Sequence, residues 1–304
     1  MSSSQGYQMQ CAFDLDDVDA NSTAIEVVSA SLIAEHTLIE SEGIRGTRSR
    51  TKERVRRGLI NVGGTVVLHP SPTELDALLP VILGATESTD TFALAESLPE
   101  FDFMIDTGAK VYDFSDLKVN SATFRCSSGQ PLELEIDMIG KTVTEGNAGT
   151  FPALTFDLDT MFVFSDSVFT YDTSSTGDDY EILDFEVMID NLLEARFGNS
   201  TTATSIDPTD RRVSLSVTTP WTATDGSSAD STGLYVTSSI AGSDGSLALT
   251  NGNQSLSFAF ANLKLAPAAT PIVNGRGEIT KGITYNVYKS ATTNELIVTH
   301  DSTA

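Results

Sequence analysis

"YDFSDLKVNSAT", residues 112–123, returns in altered form as "FAFANLKLAPAA", residues 258–269. Superposed, Phe114 falls on Phe260, Leu117 on Leu263, Lys118 on Lys264 and Val119 on Leu265, an offset of 146 with a shared core F-x-[DN]-L-K-[VL]. A repeat of that length changes the fold expected of the whole chain. Its flanks repeat too. "GTVVLHPSP" (64–72) lies on "RVSLSVTTP" (212–220) at an offset of 148, setting Val67 on Leu215, His69 on Val217 and Pro72 on Pro220. "IEVVSASLI" (25–33) resembles "FEVMIDNLL" (185–193) at an offset of 160, and "GQPLELEIDMIGK" (129–141) corresponds to "GEITKGITYNVYK" (277–289). Four matches in one order point to an internal duplication.

The matched segments alternate apolar and polar residues with period two, between clusters of Gly, Asp, Asn, Ser and Thr, and so read as antiparallel strands and turns. One helix is expected: Ser71 as N-cap, Pro72 at the first helical position and Glu74 as capping-box partner precede "LDALLPVIL", with Pro80 expected to kink or shorten it. The expected architecture is mainly β, with tandem antiparallel β-sandwich or barrel domains. Its segments are an N-terminal arm (1–23), a first β domain (24–145), a connector (146–179) that includes "FPALTFDLDTMFVFSDSVFTYD", and a second β domain (180–304). Each copy, at roughly 120 residues, suffices for a small sandwich.

The fall in offset from 160 to 148 leaves the first copy with about twelve extra residues between its first two strands. "GIRGTRSRTKERVRRG" (43–58) sits there. It holds Arg45, Arg48, Arg50, Lys52, Arg54, Arg56 and Arg57, seven of the eighteen basic residues of a chain with formal charge −24, opposed only by Glu53. Such a run usually marks nucleic-acid contact. The rest of the chain, however, keeps eleven Lys and Arg against forty-one Asp and Glu, a charge of −30 that repels phosphate backbones within about 8–10 Å. That acidity suits either a surface that must not hold nucleic acid or adaptation to high salt.

The composition, 40% apolar and 20% charged, is that of a folded protein. "MSSSQGYQMQCAF" lacks the pattern of a signal peptide, and no apolar run is long enough for a membrane span. Cys11 and Cys126 are too few and too far apart for a disulfide framework or metal knuckle, and are expected as free thiols, Cys11 on a mobile N-terminal arm. Asp17, Asp19 and Asn21 open like a calcium loop, but Ser22 replaces its glycine and Val28 its bidentate glutamate. The acidic loop "TSSTGDDYE" (173–181) reads as solvated. His36, His69 and His300 are scattered, and His69, replaced by Val217 in the repeat, reads as a sheet-face residue. Trp221 reads as a packing residue. With no phosphate-binding loop, serine elbow or nucleophile–base set, no catalytic, metal or cofactor residues are assigned.

The order of "IRGTR" and its basic loop, "NVGGTVVLHPSPTELDALLPVILG", "VYDFSDLKVNSATF", "DFEVMIDNLLEARFG", "GRGEITKGITYNVYK" and "NELIVTHDS" resembles the roughly 300-residue tail tube proteins of long-tailed phages and archaeal tailed viruses. The most specific parts are the strand leading into the 71–83 helix, V-N-S-x-x-F at 119–124 and I-D-N-L-L at 189–193. The resemblance implies a virion structural protein with no enzymatic activity. Long hairpins of neighbouring subunits would close a barrel around a channel for double-stranded DNA, and rings would stack into a tube assembled in the host cytoplasm. Its partners would be copies of itself and the tail terminator, tape measure and baseplate or tip proteins. The duplication favours three chains per ring with pseudo-sixfold symmetry, a hexamer being the alternative. Against the basic loop the nearest abundant anion is then another subunit, so Arg45, Arg48, Arg50, Lys52, Arg54, Arg56 and Arg57 are expected at ring-to-ring or subunit contacts with carboxylates. The alternative class is a secreted or surface two-domain β-sandwich binding module, such as an adhesin or carbohydrate-binding protein. A hydrolase on a β scaffold has no residue set behind it.

Overall fold

The computed structural model describes residues 5–44, 46–147, 149–171, 178–221, 243–266, 277 and 279–303, which form twenty strands and one α-helix. The first ten strands are β1 (Gln10–Asp14), β2 (Thr23–Ile25), β3 (Val27–Ala30), β4 (Ile33–Glu40), β5 (Val55–Leu68), β6 (Thr91–Ala93), β7 (Phe101–Asp106), β8 (Lys110–Ser127), β9 (Glu133–Gly140) and β10 (Thr142–Asn147). The second ten are β11 (Ser167–Tyr171), β12 (Asp178–Tyr180), β13 (Asp184–Asp190), β14 (Leu193–Arg196), β15 (Ser205–Pro208), β16 (Arg212–Pro220), β17 (Ser243–Asn251), β18 (Gln254–Leu265), β19 (Thr280–Val287) and β20 (Leu296–Asp301). Helix α1 spans Pro72–Leu83.

Every pairing is antiparallel, and the two series pair in the same order. In the first, β2 joins β1, β1 joins β7, β7 joins β8 and β8 joins β10; β8 also joins β9, β9 joins β5 and β5 joins β3. In the second, β12, β11, β17, β18 and β20 follow one another in the same way, and β18, β19, β16 and β13 form the other branch. The central strand of each series, β8 or β18, serves both branches.

Residues 114–117 show how β8 changes branch. Phe101 lies opposite Leu117 and Phe103 opposite Phe114, so the single residue Asp102 faces the two residues Ser115 and Asp116 in a β-bulge. Asp116 there takes φ +55°, a conformation that Asp and Asn tolerate better than other side chains. The second series repeats the feature: Ser243 opposes Leu263 and Gly245 opposes Phe260, leaving Asp244 against Ala261 and Asn262. The [DN] of the shared motif is therefore a bulge position. The inward residues Phe114, Leu117, Phe260 and Leu263 are all buried.

Asp102 accepts the Asp116 N–H at 2.9 Å and is 8% exposed. Burial, and next the carboxylates of Asp113, Asp116 and Asp17, push its pKa up to about 6 against that hydrogen bond. The folded chain thus keeps a proton that the unfolded chain loses near pH 4, so this group's contribution falls as pH rises from about 4 to 6. Asp102→Asn, which keeps the acceptor, is expected to be more stable than the parent by up to about 3 kcal/mol at pH 7 and by little at pH 3.5. Urea unfolding at the two pH values reads the difference.

Helix α1 begins as its sequence requires. Ser71 Oγ accepts the Glu74 N–H at 3.1 Å, and Glu74 accepts the N–H groups of Ser71 at 2.9 Å and Glu26 at 2.7 Å. Glu74 is buried, which pushes its carboxyl up while the two backbone donors pull it down. Pro80 does not shorten the helix, which continues to Leu83 and ends on Gly84 at φ +86°.

Several expectations are corrected. Within the expected arm, residues 10–14 are built into the sheet: β1 lies between β2 and β7, with Cys11, Ala12 and Phe13 buried. Cys11 is correspondingly not mobile; both cysteines are free and buried, which pushes Cys11 up to about 12 and Cys126 to about 11, leaving two unreactive thiols. The stretch 146–179 carries the end of β10 together with β11 and β12, the counterparts of β1 and β2. The superposition of 64–72 on 212–220 is also three residues out. Val119, Met138 and Gly64 lie side by side as Leu265, Tyr285 and Leu215 do, so Gly64 corresponds to Leu215 and Val66 to Val217. Val66 and Leu68 face the core in β5 whereas Val67 is half-buried, and a shift by an odd number of residues exchanges the two faces of a strand. His69 lies just beyond β5, half-buried, and Val217 is not its counterpart.

Candidate assembly interface

Within the chain the two series already meet edge to edge. The C-terminal half of β8 pairs with β13, from Ser121 opposite Asp190 to Ser127 opposite Asp184, and β6 pairs with β20 through Ala93 and Ile297. The first junction makes one sheet of the β5–β9–β8 and β13–β16–β19 branches. Among the described residues of one chain it does not close into a barrel.

The two short motifs singled out in the sequence, at 119–124 and 189–193, lock this junction. Val119 opposes Met138 and Ser121 opposes Asp137, so Asn120 is the extra residue of a second bulge. Freed from the ladder, Asn120 accepts the Asn191 N–H on its carbonyl at 2.7 Å and the Leu193 N–H on Oδ1 at 2.9 Å, while its Nδ2 donates to Asp137 at 2.8 Å. Asn191, 3% exposed, donates through Nδ2 to the carbonyls of Val119 at 3.1 Å and Ile82 at 3.3 Å. Leu192 turns the chain at φ +44°, its N–H held by Asp190. Phe124 and Phe258 meet edge to face with centroids 5.1 Å apart.

The segment from α1 to β6 covers the open end of the second series. His300 on β20 is buried with Nε2 2.8 Å from the Pro72 carbonyl and Nδ1 2.8 Å from that of Ser255. Arg211 donates to the Ala95 carbonyl at 2.7 Å and pairs with Glu295 at 2.8 Å, and Asn294 donates to the Leu94 carbonyl at 3.4 Å. No role is legible in the sequence for Arg211 or His300, whose partners lie 45 to 228 residues away.

The basic stretch is the tip of the β4–β5 hairpin and the first turns of β5. Arg48, Arg50, Lys52, Arg54, Arg56 and Arg57 are all exposed; Arg45 lies outside the described residues. Arg50 pairs with Glu40 of the same hairpin. Among the described residues the other five make no ion pair, so the structure gathers them on one projecting hairpin without assigning them a partner. Leu38, Ile39 and Leu59 are exposed beside them. The place of this hairpin is taken in the second series by the short pair β14–β15, and the two touch where Thr201 accepts the Ile60 N–H at 2.8 Å.

Other candidates stay apart. Around 14–22, Asp14, Asp19, Asn21 and Ser22 hydrogen-bond one another in a turn. Residues 172–177 of the acidic loop lie outside the described residues. Trp221 packs on the core with Lys281 Nζ 5.4 Å from its ring centroid. Among the described residues no group of three or more His, Cys, Asp or Glu is placed to hold a metal ion, and no helix is long and apolar enough to cross a membrane. A family model described as phage tail tube protein matches residues 14–288. No curated protein matches the chain.

Proposed function

This chain belongs to the phage tail tube protein family, and from that premise we propose that its copies assemble into stacked rings whose axial channel passes viral DNA. The family makes it a structural protein of the virion tail, in a class that is generally not enzymatic. The observation that carries the finer reading is the junction of β8 with β13, by which one chain already joins two sheets of like strand order edge to edge. A sheet extended by that rule loses its edges only when it closes on itself.

On this reading the strands β1–β10, within residues 10–147, and β11–β20, within residues 167–301, belong to two copies of one unit, each contributing its own sheet to the ring. Three chains then supply six units; a hexamer of chains would supply twelve and need a wider channel. Surplus carboxylates facing the channel would keep DNA from adhering during passage. The exposed arginines of the β4–β5 hairpin would meet carboxylates of the next ring or subunit, where a planar guanidinium forms paired hydrogen bonds. The tail terminator, tape measure and baseplate or tip proteins would meet the ends of the tube, assembled in the host cytoplasm.

Electron microscopy of the concentrated protein is expected to show rings and tubes. A chain that stays monomeric at every concentration and salt would contradict self-assembly.

A further inference from the structure

Of the three histidines, His300 alone is fully buried; His36 is exposed and His69 half-buried. It lies on β20 opposite Leu256 of β18, and its backbone N–H donates to the Asp90 carbonyl at 2.8 Å. Both ring nitrogens face carbonyl oxygens. Nδ1 is 2.8 Å from the oxygen of Ser255 and Nε2 is 2.8 Å from that of Pro72. A carbonyl oxygen accepts and never donates, so each contact is a hydrogen bond only if the ring nitrogen carries a proton. A neutral imidazole has one such proton. It would satisfy one carbonyl and turn a lone pair on the other, in a site closed to solvent where no water replaces the lost partner.

The charges around the ring fit a cation. Asp76 on α1 has Oδ1 3.4 Å from Nε2, and among the described residues it makes no other ion pair. Asp301, the next residue of β20, is drawn below the usual carboxylate range first by the side chain and backbone N–H of Thr303, and a positive charge on His300 adds to this. The other neighbours are uncharged: β18 presents the Ser255 carbonyl, the turn before β6 the Asp90 carbonyl, and Phe162 its ring, edge to face with centroids 6.4 Å apart.

The two acceptors belong to different units. Pro72 is the first residue of α1, in the first, and Ser255 lies on β18, in the second. The ring therefore spans the seam where the segment from α1 to β6 covers the second series. The other ties across that seam differ in kind, since Arg211 carries a permanent charge and Asn294 carries none. We infer that His300 is a proton-operated pin between the two units: as an imidazolium it holds α1 to β18 and β20, and when its proton leaves, one of the two carbonyls is released. Assembly is not involved, because both units belong to one chain.

Ring-nitrogen NMR of the unaltered chain tests this directly. His36→Gln and His69→Gln identify the other two histidines by the signals that each removes. At about pH 7, where an ordinary histidine side chain is mostly neutral, the His300 ring is expected to carry a proton on both nitrogens, each exchanging slowly with solvent. A ring with one bare nitrogen overturns the inference. Melting gives a second reading. In His300→Gln the amide can donate to one carbonyl at most on its nitrogen side, and it does not titrate. Because the charged ring makes both contacts, its contribution is present at low pH and is lost as pH rises. The parent is therefore expected to melt above His300→Gln by a margin about 3 °C or more wider at about pH 6 than at about pH 9. An equal margin at the two pH values, or a wider one at the higher, overturns the inference, since a ring buried neutral would lose stability on gaining charge. If His300→Gln does not fold, the nitrogen signals of the parent decide alone.

Discussion

Phe124→Ala is expected to cost about 3–5 kcal/mol, a large part of the roughly 5–15 kcal/mol that separates a folded domain from its unfolded chain. Phe124 is fully buried on β8, opposite Leu134 on one side and Val187 on the other, and its ring packs edge to face on Phe258. It therefore touches one branch of its own series, through β9, and the other series through β13 and β18. Removing the ring leaves a cavity where three strands that cannot move independently converge, so the site collapses poorly. The melting temperature is expected to fall by about 10 °C or more. Val168→Ala, at a residue 49% exposed on β11, serves as the control and is expected to stay within about 0.5 kcal/mol of the parent. A loss below about 1 kcal/mol for Phe124→Ala would mean that the two series do not share a core.

The second large effect is on assembly rather than stability. Arg48→Glu/Arg50→Glu exchanges two exposed positive charges for negative ones on a chain already at −24. Arg48 has no ion pair among the described residues, and Arg50 pairs only with Glu40 of its own hairpin, at the surface, where such a pair contributes about 1 kcal/mol or less. The fold is expected to survive by circular dichroism. Tube elongation is expected to fail, because a surface matched to carboxylates would now repel them, and like charges brought together at an interface cost several kcal/mol. If the variant elongates as the parent does, the basic hairpin is a solvated loop or has another partner.

The shared motif was legible in the sequence because its chemistry is local. The bulge falls between two inward apolar residues in both halves, Phe114 and Leu117 around Asp116 and Phe260 and Leu263 around Asn262, and Asp116 takes the positive φ that Asp tolerates. Helix α1 was legible for the same reason, its cap, proline and glutamate being adjacent in the chain. β1 and β11 were not. Each is five residues long, "QCAFD" runs straight into an acidic turn, and "SVFTY" ends a long aromatic stretch, so neither shows enough alternation to stand out. The signal that identifies them is their pairing, to β7 and β17, which only the folded chain displays. The misplaced superposition of β5 on β16 has a related cause: Val66 and Val67 are adjacent apolar residues, and the sequence alone does not fix which of them faces the core.

Surfaces divide in the same way. The basic hairpin is conspicuous as a charge run, whereas the groove lined by Ala30, Leu32, Ile33, Tyr112 and Val143 is discontinuous in the chain and brought together only by tertiary structure. The motifs V-N-S and I-D-N-L-L stood out in the sequence, but that Asn120 and Asn191 clasp each other follows from the bulge at Asn120.

The central claim, that one chain carries two tube units and builds a ring with its copies, is tested most directly by the number of chains per ring, from native mass and end-on averaged images of assembled protein. Three chains with six similar densities around the channel is the expected result. Six chains per ring, or three chains without a sixfold pattern, would contradict it.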